Sequence, residues 1–112
     1  MPSESEIDID YFKGVRLVVG KVLTAEAIEN SNKLLKIRVS FGDHEKTILS
    51  GIKNFYKPED LIGKKIVVID NLKPARLMSM ESEGMLLAAS DSEGNLSLLT
   101  VDRDVKEGSS IS

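Results

Sequence analysis

The sequence predicts an all-β fold: a five-stranded barrel with a short helical turn between strands three and four and short extensions at both ends. Three observations carry this expectation. Leu35, Ile37, Val39 and Phe41 alternate with Lys36, Arg38 and Ser40, the period-two pattern of a strand with one buried face. Branched residues crowd positions 15–28, broken only by Gly20. A strand that long must bend, and a small closed barrel needs such a strand because it pairs on both sides. Within the body of the chain only Pro58 to Gly63 has helical start and stop signals, with proline and acids first and glycine last.

The remaining elements follow in order. Met1–Ser5 reads as a frayed tail, and Ser5 through Gly14 as one helical turn capped by Ser5, with Ile7, Ile9, Tyr11 and Phe12 as its apolar contacts. Gly20 marks a bulge or sharp bend in the first strand. The second strand turns through Gly42–Asp43–His44 into a third, Glu45 to Leu49, which ends at Ser50–Gly51. Ile66 to Ile69 is a continuous apolar run, consistent with a strand buried on both faces. Asn71 to Gly84 reads as a long ordered loop. Met85 to Ser90 and Leu96 to Val101 read as two further strands joined by the turn Asp91–Asn95, before a polar tail from Asp102 that contains Gly108. Short strands with one helical turn after the third match the order of an OB fold best. The division is an N-terminal extension over 1–14 and the barrel with its C-terminal extension over 15–112.

A chain of 112 residues suits one domain. Its core is thin, so burial in a dimer would help. There is no cysteine, which removes disulfides, thiolate metal sites and thiol nucleophiles together. The only histidine, His44, lies in a hairpin turn between two acids. Glu81 with Glu83 and Asp91 with Glu93 lack the spacing of a calcium loop. No nucleophile elbow, phosphate loop or dinucleotide fingerprint is present. No catalysis, metal or cofactor is expected. The acidic first twelve residues do not resemble a leader, and the longest apolar run, Met85 to Ala89, is too short to span a bilayer. A soluble cytoplasmic protein with no membrane partner is expected.

The net charge of −3 counts against a polyanion partner, but its distribution does not. Residues 1–12 carry four acids and no base, residues 13–76 carry thirteen Lys or Arg against seven Asp or Glu, and residues 77–112 carry two bases against seven acids. A polyanion would meet the middle while the ends deter loose binding, although an ordinary mixed surface has the same counts. Two basic groups stand out. Lys33, Lys36 and Arg38 belong to the second strand and the turn before it; depending on register, Lys46 lies beside them, on the face where OB folds commonly bind oligonucleotides. Lys73 and Arg76 flank Pro74, which fixes one backbone angle and presents them from a stiff segment. Arg76 offers a bidentate fork to phosphate, Lys73 a point charge. Aromatics are sparse, so recognition of RNA shape through phosphate and ribose is favoured over extensive base stacking.

Several segments together resemble a known family. They are Val19–Val22, Asn30–Leu35, Lys46–Ile52, Tyr56–Leu61, Gly63–Lys65, Asn71–Arg76 and Glu81–Ala89. The chain resembles, over about residues 12–112, the tRNA-binding OB domain of methionyl-tRNA synthetase. That domain also occurs in free-standing structure-specific tRNA-binding proteins, in endothelial-monocyte-activating polypeptide II and in the export chaperone CsaA. The resemblance implies binding at the outer corner of tRNA, without strong sequence preference, through Lys33, Lys73, Arg76, Ser82 and Met85. Charge and strand geometry add Lys36, Arg38, Lys46 and Lys53. It also implies a homodimer joined through Ile7–Phe12 and the C-terminal strands, and a role as accessory domain or β-subunit of a synthetase, with methionyl-tRNA synthetase as partner. A CsaA-like peptide-binding chaperone is the alternative. The chain departs from the family at Arg16–Leu17–Val18, at Ser31–Asn32 and at Ser79, where the family usually has glycine.

Overall fold

The branched residues of the N-terminal third form one strand of eleven residues, β1 (Leu17–Ala27), and the barrel is organised around it. The computed structural model describes residues 5–112; the tail expected over Met1–Ser5 lies, apart from Ser5, outside the described residues. Ahead of β1 stands α1 (Ile9–Phe12). After it come β2 (Leu35–Ser40), β3 (Glu45–Ser50), α2 (Pro58–Leu61), β4 (Lys65–Ile69), β5 (Ala75–Leu77), β6 (Met80–Ser82), β7 (Met85–Leu86), β8 (Ala88–Ser90), β9 (Leu96–Leu98) and β10 (Ser110–Ile111).

The long first strand uses both edges, as a barrel demands. It pairs antiparallel with β4 from Leu17 to Lys21 and with β2 from Lys21 to Ala27. The main sheet runs β3-β2-β1-β4-β7, which is the OB order once β3 meets β7. Among the described residues no ladder joins those two strands. The corner between β6 and β7 closes the barrel instead: Glu83 N–H donates to the Thr47 carbonyl at 2.8 Å, Thr47 N–H to Glu83 Oε1 at 2.8 Å, and Leu49 N–H to Ser82 Oγ at 3.0 Å.

Alternation places the core as expected. Leu35, Ile37, Val39 and Ile48 are fully buried from β2 and β3, with Ile66 and Val68 from β4. Proline at its start and acids in its first turn make α2, and its Leu61 is buried in the same cluster. Burying one leucine contributes roughly 2 kcal/mol. Val67, on the other face of β4, is also buried, because the β8–β9 hairpin docks there: Leu87 N–H donates to the Val67 carbonyl at 3.0 Å. The turn of that hairpin is tied by Asp91, whose Oδ1 accepts from the Glu93 and Asn95 amides at 2.9 and 3.0 Å. The Asn95 side chain, then these amides, hold the Asp91 carboxyl below its usual range. That contribution to stability is present above the ordinary carboxylate pKa and is lost as pH falls.

Three local expectations are corrected. The helical turn is capped by Asp8, not Ser5; Asp8 Oδ1 accepts from Tyr11 N–H at 3.2 Å. Gly20 is not the bulge: it stays in register opposite Ile66, and the shift falls between Val22 and Thr24. Its role is space, since a Cβ there would lie 2.4 Å from Val39 Cγ1. Residues 71–84 are not a loop throughout; β5 and β6 form a hairpin whose two-residue turn, Met78–Ser79, has φ of 51° and 68°. Such turns normally announce themselves with glycine or asparagine, and this one does not. The polar C-terminal extension packs back on the first strand. Gly108 N–H donates to the Val19 carbonyl at 2.7 Å, and β10 pairs with β1.

Gly108 has φ of 91°, and a Cβ there would sit 2.3 Å from the Phe41 carbonyl oxygen. Gly108→Ala is therefore expected to lower unfolding stability by at least about 2 kcal/mol in a urea titration, through backbone strain combined with the clash. An unchanged midpoint would mean that the tail melts independently of the barrel.

Candidate nucleic-acid interface

Two loops carry three of the exposed cations, Lys33 on one and Lys73 and Arg76 on the other, and both loops are fastened down. The β1–β2 loop turns at Asn30, with φ of 71°. Ser31 Oγ then accepts from the amides of Lys33 and Leu34 at 3.3 and 3.0 Å. Lys53 clamps the same loop: its amide donates to the Lys33 carbonyl and its Nζ to the Ser31 carbonyl, both at 3.0 Å. Lys33 is thus exposed on a braced turn, with no ion-pair partner among the described residues. Lys53 is the brace rather than a free charge.

The second loop is anchored by Asn71. Its Oδ1 accepts from Arg16 N–H at 2.9 Å and its Nδ2 donates to the Gly14 carbonyl at 2.8 Å. Pro74 and the short strand β5 then carry Lys73 and Arg76 outward, both exposed. One Arg76 nitrogen donates to the Ser79 carbonyl at 3.1 Å, which orients the guanidinium and leaves its other donors free. Arg76 stands opposite Glu81 in the hairpin register, so both lie on one face of it.

The end of β3 lies between these loops. Gly51 approaches the Lys33 carbonyl on one side, and Leu49 binds Ser82 on the other. A hollow of about 450 Å³ opens there, lined by Leu49, Gly51, Ile52, Leu87 and Leu96, with half-exposed Met85 at its edge.

Register and burial sort the other predicted residues. β2 pairs with β3 so that Lys46 faces Val39, while Thr47 faces Arg38. Lys46 therefore does not join Lys36 and Arg38. It turns to the barrel end, where its Nζ donates to Asp70 Oδ1 at 2.7 Å and to the Asp70 carbonyl at 2.9 Å. The Asp70 side chain is only 7% exposed, and Arg16 approaches its other oxygen at 3.4 Å. Arg38 braces the closure: it donates to Thr47 Oγ1 at 2.8 Å and Glu45 Oε1 at 3.1 Å, with Glu83 at 3.9 Å. Lys36 has only a loose, exposed pair with Glu26 at 3.9 Å. Ser82 is buried; its hydroxyl accepts from Leu49 and donates to the Gly84 carbonyl at 2.9 Å, so it fastens the corner instead of facing solvent. Sequence reasoning did not pick out the anchors Asn71 and Asp70. Asn71 begins the basic segment, but nothing in the pattern reveals that its partners lie more than fifty residues away.

A family model described as a putative tRNA binding domain matches residues 17–110. The chain is 58% identical over 106 residues to a methionine–tRNA ligase of Methanocaldococcus jannaschii, covering 95% of this chain and 16% of that protein. Against a methionine–tRNA ligase of Clostridium acetobutylicum it is 50% identical, covering 96% and 17%. The chain thus spans about a sixth of the curated relatives it matches. Among solved structures it resembles a MetRS-related protein of Pyrococcus horikoshii with TM-score 0.90 and 38% identity, over 96% of this chain and 98% of that one. It resembles the chaperone CsaA of Bacillus anthracis with TM-score 0.89 and 28% identity, over 96% and 100%.

Replacing Lys46 by Met leaves the buried Asp70 carboxylate with Arg16 alone. This should cost about 2–3 kcal/mol of stability in urea unfolding, because breaking a largely buried pair strands one charge. A loss below about 0.5 kcal/mol would show that Lys46 is dispensable for the barrel end and is free for another partner.

Proposed function

We propose that this chain, which belongs to the putative tRNA-binding domain family, is a non-catalytic module that holds folded tRNA for a methionyl-tRNA synthetase, either as an accessory domain of a longer chain or as a separate β-subunit. The observation that carries the reading is the pair of braced loops, with Lys33 on one and Lys73 and Arg76 on the other. Stiff loops lose little freedom on binding, so their cations convert more of their attraction into affinity. The backbone of folded RNA is the matching partner, and Lys36 and Met85 extend the surface. Lys46, Lys53, Arg38 and Ser82 serve it indirectly by fixing the scaffold. Such a module supplies binding energy and breaks no bond. The likeness to methionine–tRNA ligases supports the choice of synthetase. A place in translation supports the cytoplasm as its compartment, and no helix among the described residues is long and apolar enough to cross a membrane.

The termini support a homodimer. Ile9, Phe12, Val15 and Ile111 line an apolar hollow, and Ile7 and Tyr11 beside it are exposed as well. A cluster of this kind on a chain with a thin core is best covered by a second copy.

A second reading, a peptide-binding chaperone, has the apolar hollow beside Met85 and the likeness to CsaA in its favour. The family match and the higher identity to the synthetase-related proteins favour tRNA.

Lys73→Ala combined with Arg76→Ala should lower affinity for folded tRNA, with a stability change below about 0.5 kcal/mol. If about four phosphates are neutralised, log affinity of the parent protein falls with log salt at a slope near −3 to −4, and the double variant loses about two of those contacts. Filter binding at several salt concentrations, with unfolded polypeptide as a parallel ligand, decides: equal affinity of parent and variant for tRNA sinks the site, and preference for polypeptide sinks the function. Separately, Ile9→Asp with Phe12→Asp should convert dimer to monomer in sedimentation equilibrium, and a parent protein that is already monomeric refutes the dimer.

A further inference from the structure

The β5–β6 hairpin has a feature that phosphate binding does not use. Its turn residues, Met78 and Ser79, both adopt left-handed backbone angles, with φ of 51° and 68°. Residues other than glycine, asparagine and aspartate are disfavoured there, because Cβ crowds the following carbonyl. Strain of this kind persists where the surrounding structure holds it, and it clusters at ligand contacts. The Met78 side chain is 47% exposed at the apex, so the barrel core does not account for it. Leu77, next to it, is exposed as well. One cation borders this apolar tip, Arg76, tied to the Ser79 carbonyl and opposite Glu81; Lys73 lies at the base of the hairpin, before β5.

We infer that Met78 is a base-contacting residue, which packs its thioether against the solvent-exposed face of a nucleobase at the end of a stack in the bound RNA, while Arg76 beside it, and Lys73 at the base of the hairpin, take phosphates of the same RNA. The inference rests on the tRNA-binding reading and names one further contact within it. An exposed nucleobase face is flat and apolar and is rimmed by anions. A protruding apolar tip with a cation beside it complements both properties. Methionine suits the task because its long, polarisable side chain adapts to a ring and makes favourable sulfur–aromatic contacts. The two-residue turn fixes the apex relative to Arg76, since Leu77 and Met80 close it as a register pair. A flexible loop would give up that alignment. The strain at Met78 is then the consequence of placing a contacting side chain where glycine would be most comfortable.

Stability and affinity should therefore move in opposite directions at this position. Met78→Gly relieves the left-handed strain and should raise the melting temperature, while it weakens binding of a folded tRNA transcript about three- to tenfold. Met78→Ala should weaken binding similarly. For both, the slope of log affinity against log salt stays at the parent value, because no phosphate contact is lost. Arg76→Ala, by contrast, should lower that slope by about one. Affinities of Met78→Gly and Met78→Ala equal to the parent, with Arg76→Ala weakened, overturn the role of Met78 and leave the tRNA reading standing. An Arg76→Ala protein that binds like the parent points to failure of that reading itself. A shift of the Met78 variants from dimer to monomer in sedimentation would assign the tip to a subunit contact and overturn the inference as well.

Discussion

The structure depends on how the barrel is closed. β3 and β7 do not zip together through a backbone ladder; Ser82 and Glu83 bridge them with side-chain oxygens and one amide. Two amides of β3, the part-buried one of Thr47 and the buried one of Leu49, obtain their acceptors there. A buried donor left without an acceptor costs about 1–3 kcal/mol, so the corner has little freedom to move. The β5–β6 hairpin emerges from that corner, with Ala75 paired to Ser82. The rigidity of the closure is therefore passed to the segment that carries Lys73 and Arg76.

The same constraint explains why the cations divide into two populations. Arg38 bonds to Thr47 and Glu45 and approaches Glu83, all beside the closure. Lys46 neutralises Asp70 at the barrel end, and Lys53 holds the β1–β2 loop. Lys65 bonds to Asp104 and draws the C-terminal segment onto β4, which holds the Asp104 carboxyl below its usual range. These charges are committed within the chain. Lys33, Lys73 and most of the Arg76 fork are not. The excess of positive charge over residues 13–76 thus overstates what is available to a polyanion. With acids concentrated at both ends, the exposed cations that remain lie on a surface of mixed charge, an arrangement that favours fit over loose association.

Strand periodicity made most of the fold legible. The alternation Leu35–Phe41 gave β2 and its buried face, the branched residues around Gly20 gave a strand paired on both sides, and the unbroken run Ile66–Ile69 gave β4 with both faces covered. These signals are local and repeat every two residues. The hairpin at Met78–Ser79 escaped because its turn breaks the residue preference that reveals such turns. The C-terminal return escaped because polar residues that pair by backbone alone leave no hydrophobic pattern. For the interface, residue type located the cations, but register decided their roles. One residue along β3 separates Thr47, which faces Arg38, from Lys46, which faces the core residue Val39. No count of charges contains that distinction.

The hairpin separates two kinds of attraction that most basic surfaces mix. On the proposed reading its cations act at a distance and weaken as salt rises, since cations that meet phosphate replace its counterions. Its apolar apex acts only at contact and is indifferent to salt. A ligand that offered charge alone, such as a disordered polyanion, would engage the first and miss the second. Only an RNA that presents an unstacked face and phosphates in a fixed relation engages both at once. Shape recognition of the kind proposed would require no reading of base edges; it would require that the distance from the apex to Arg76 be constant, and the two-residue turn and the Ser79 carbonyl hold that distance.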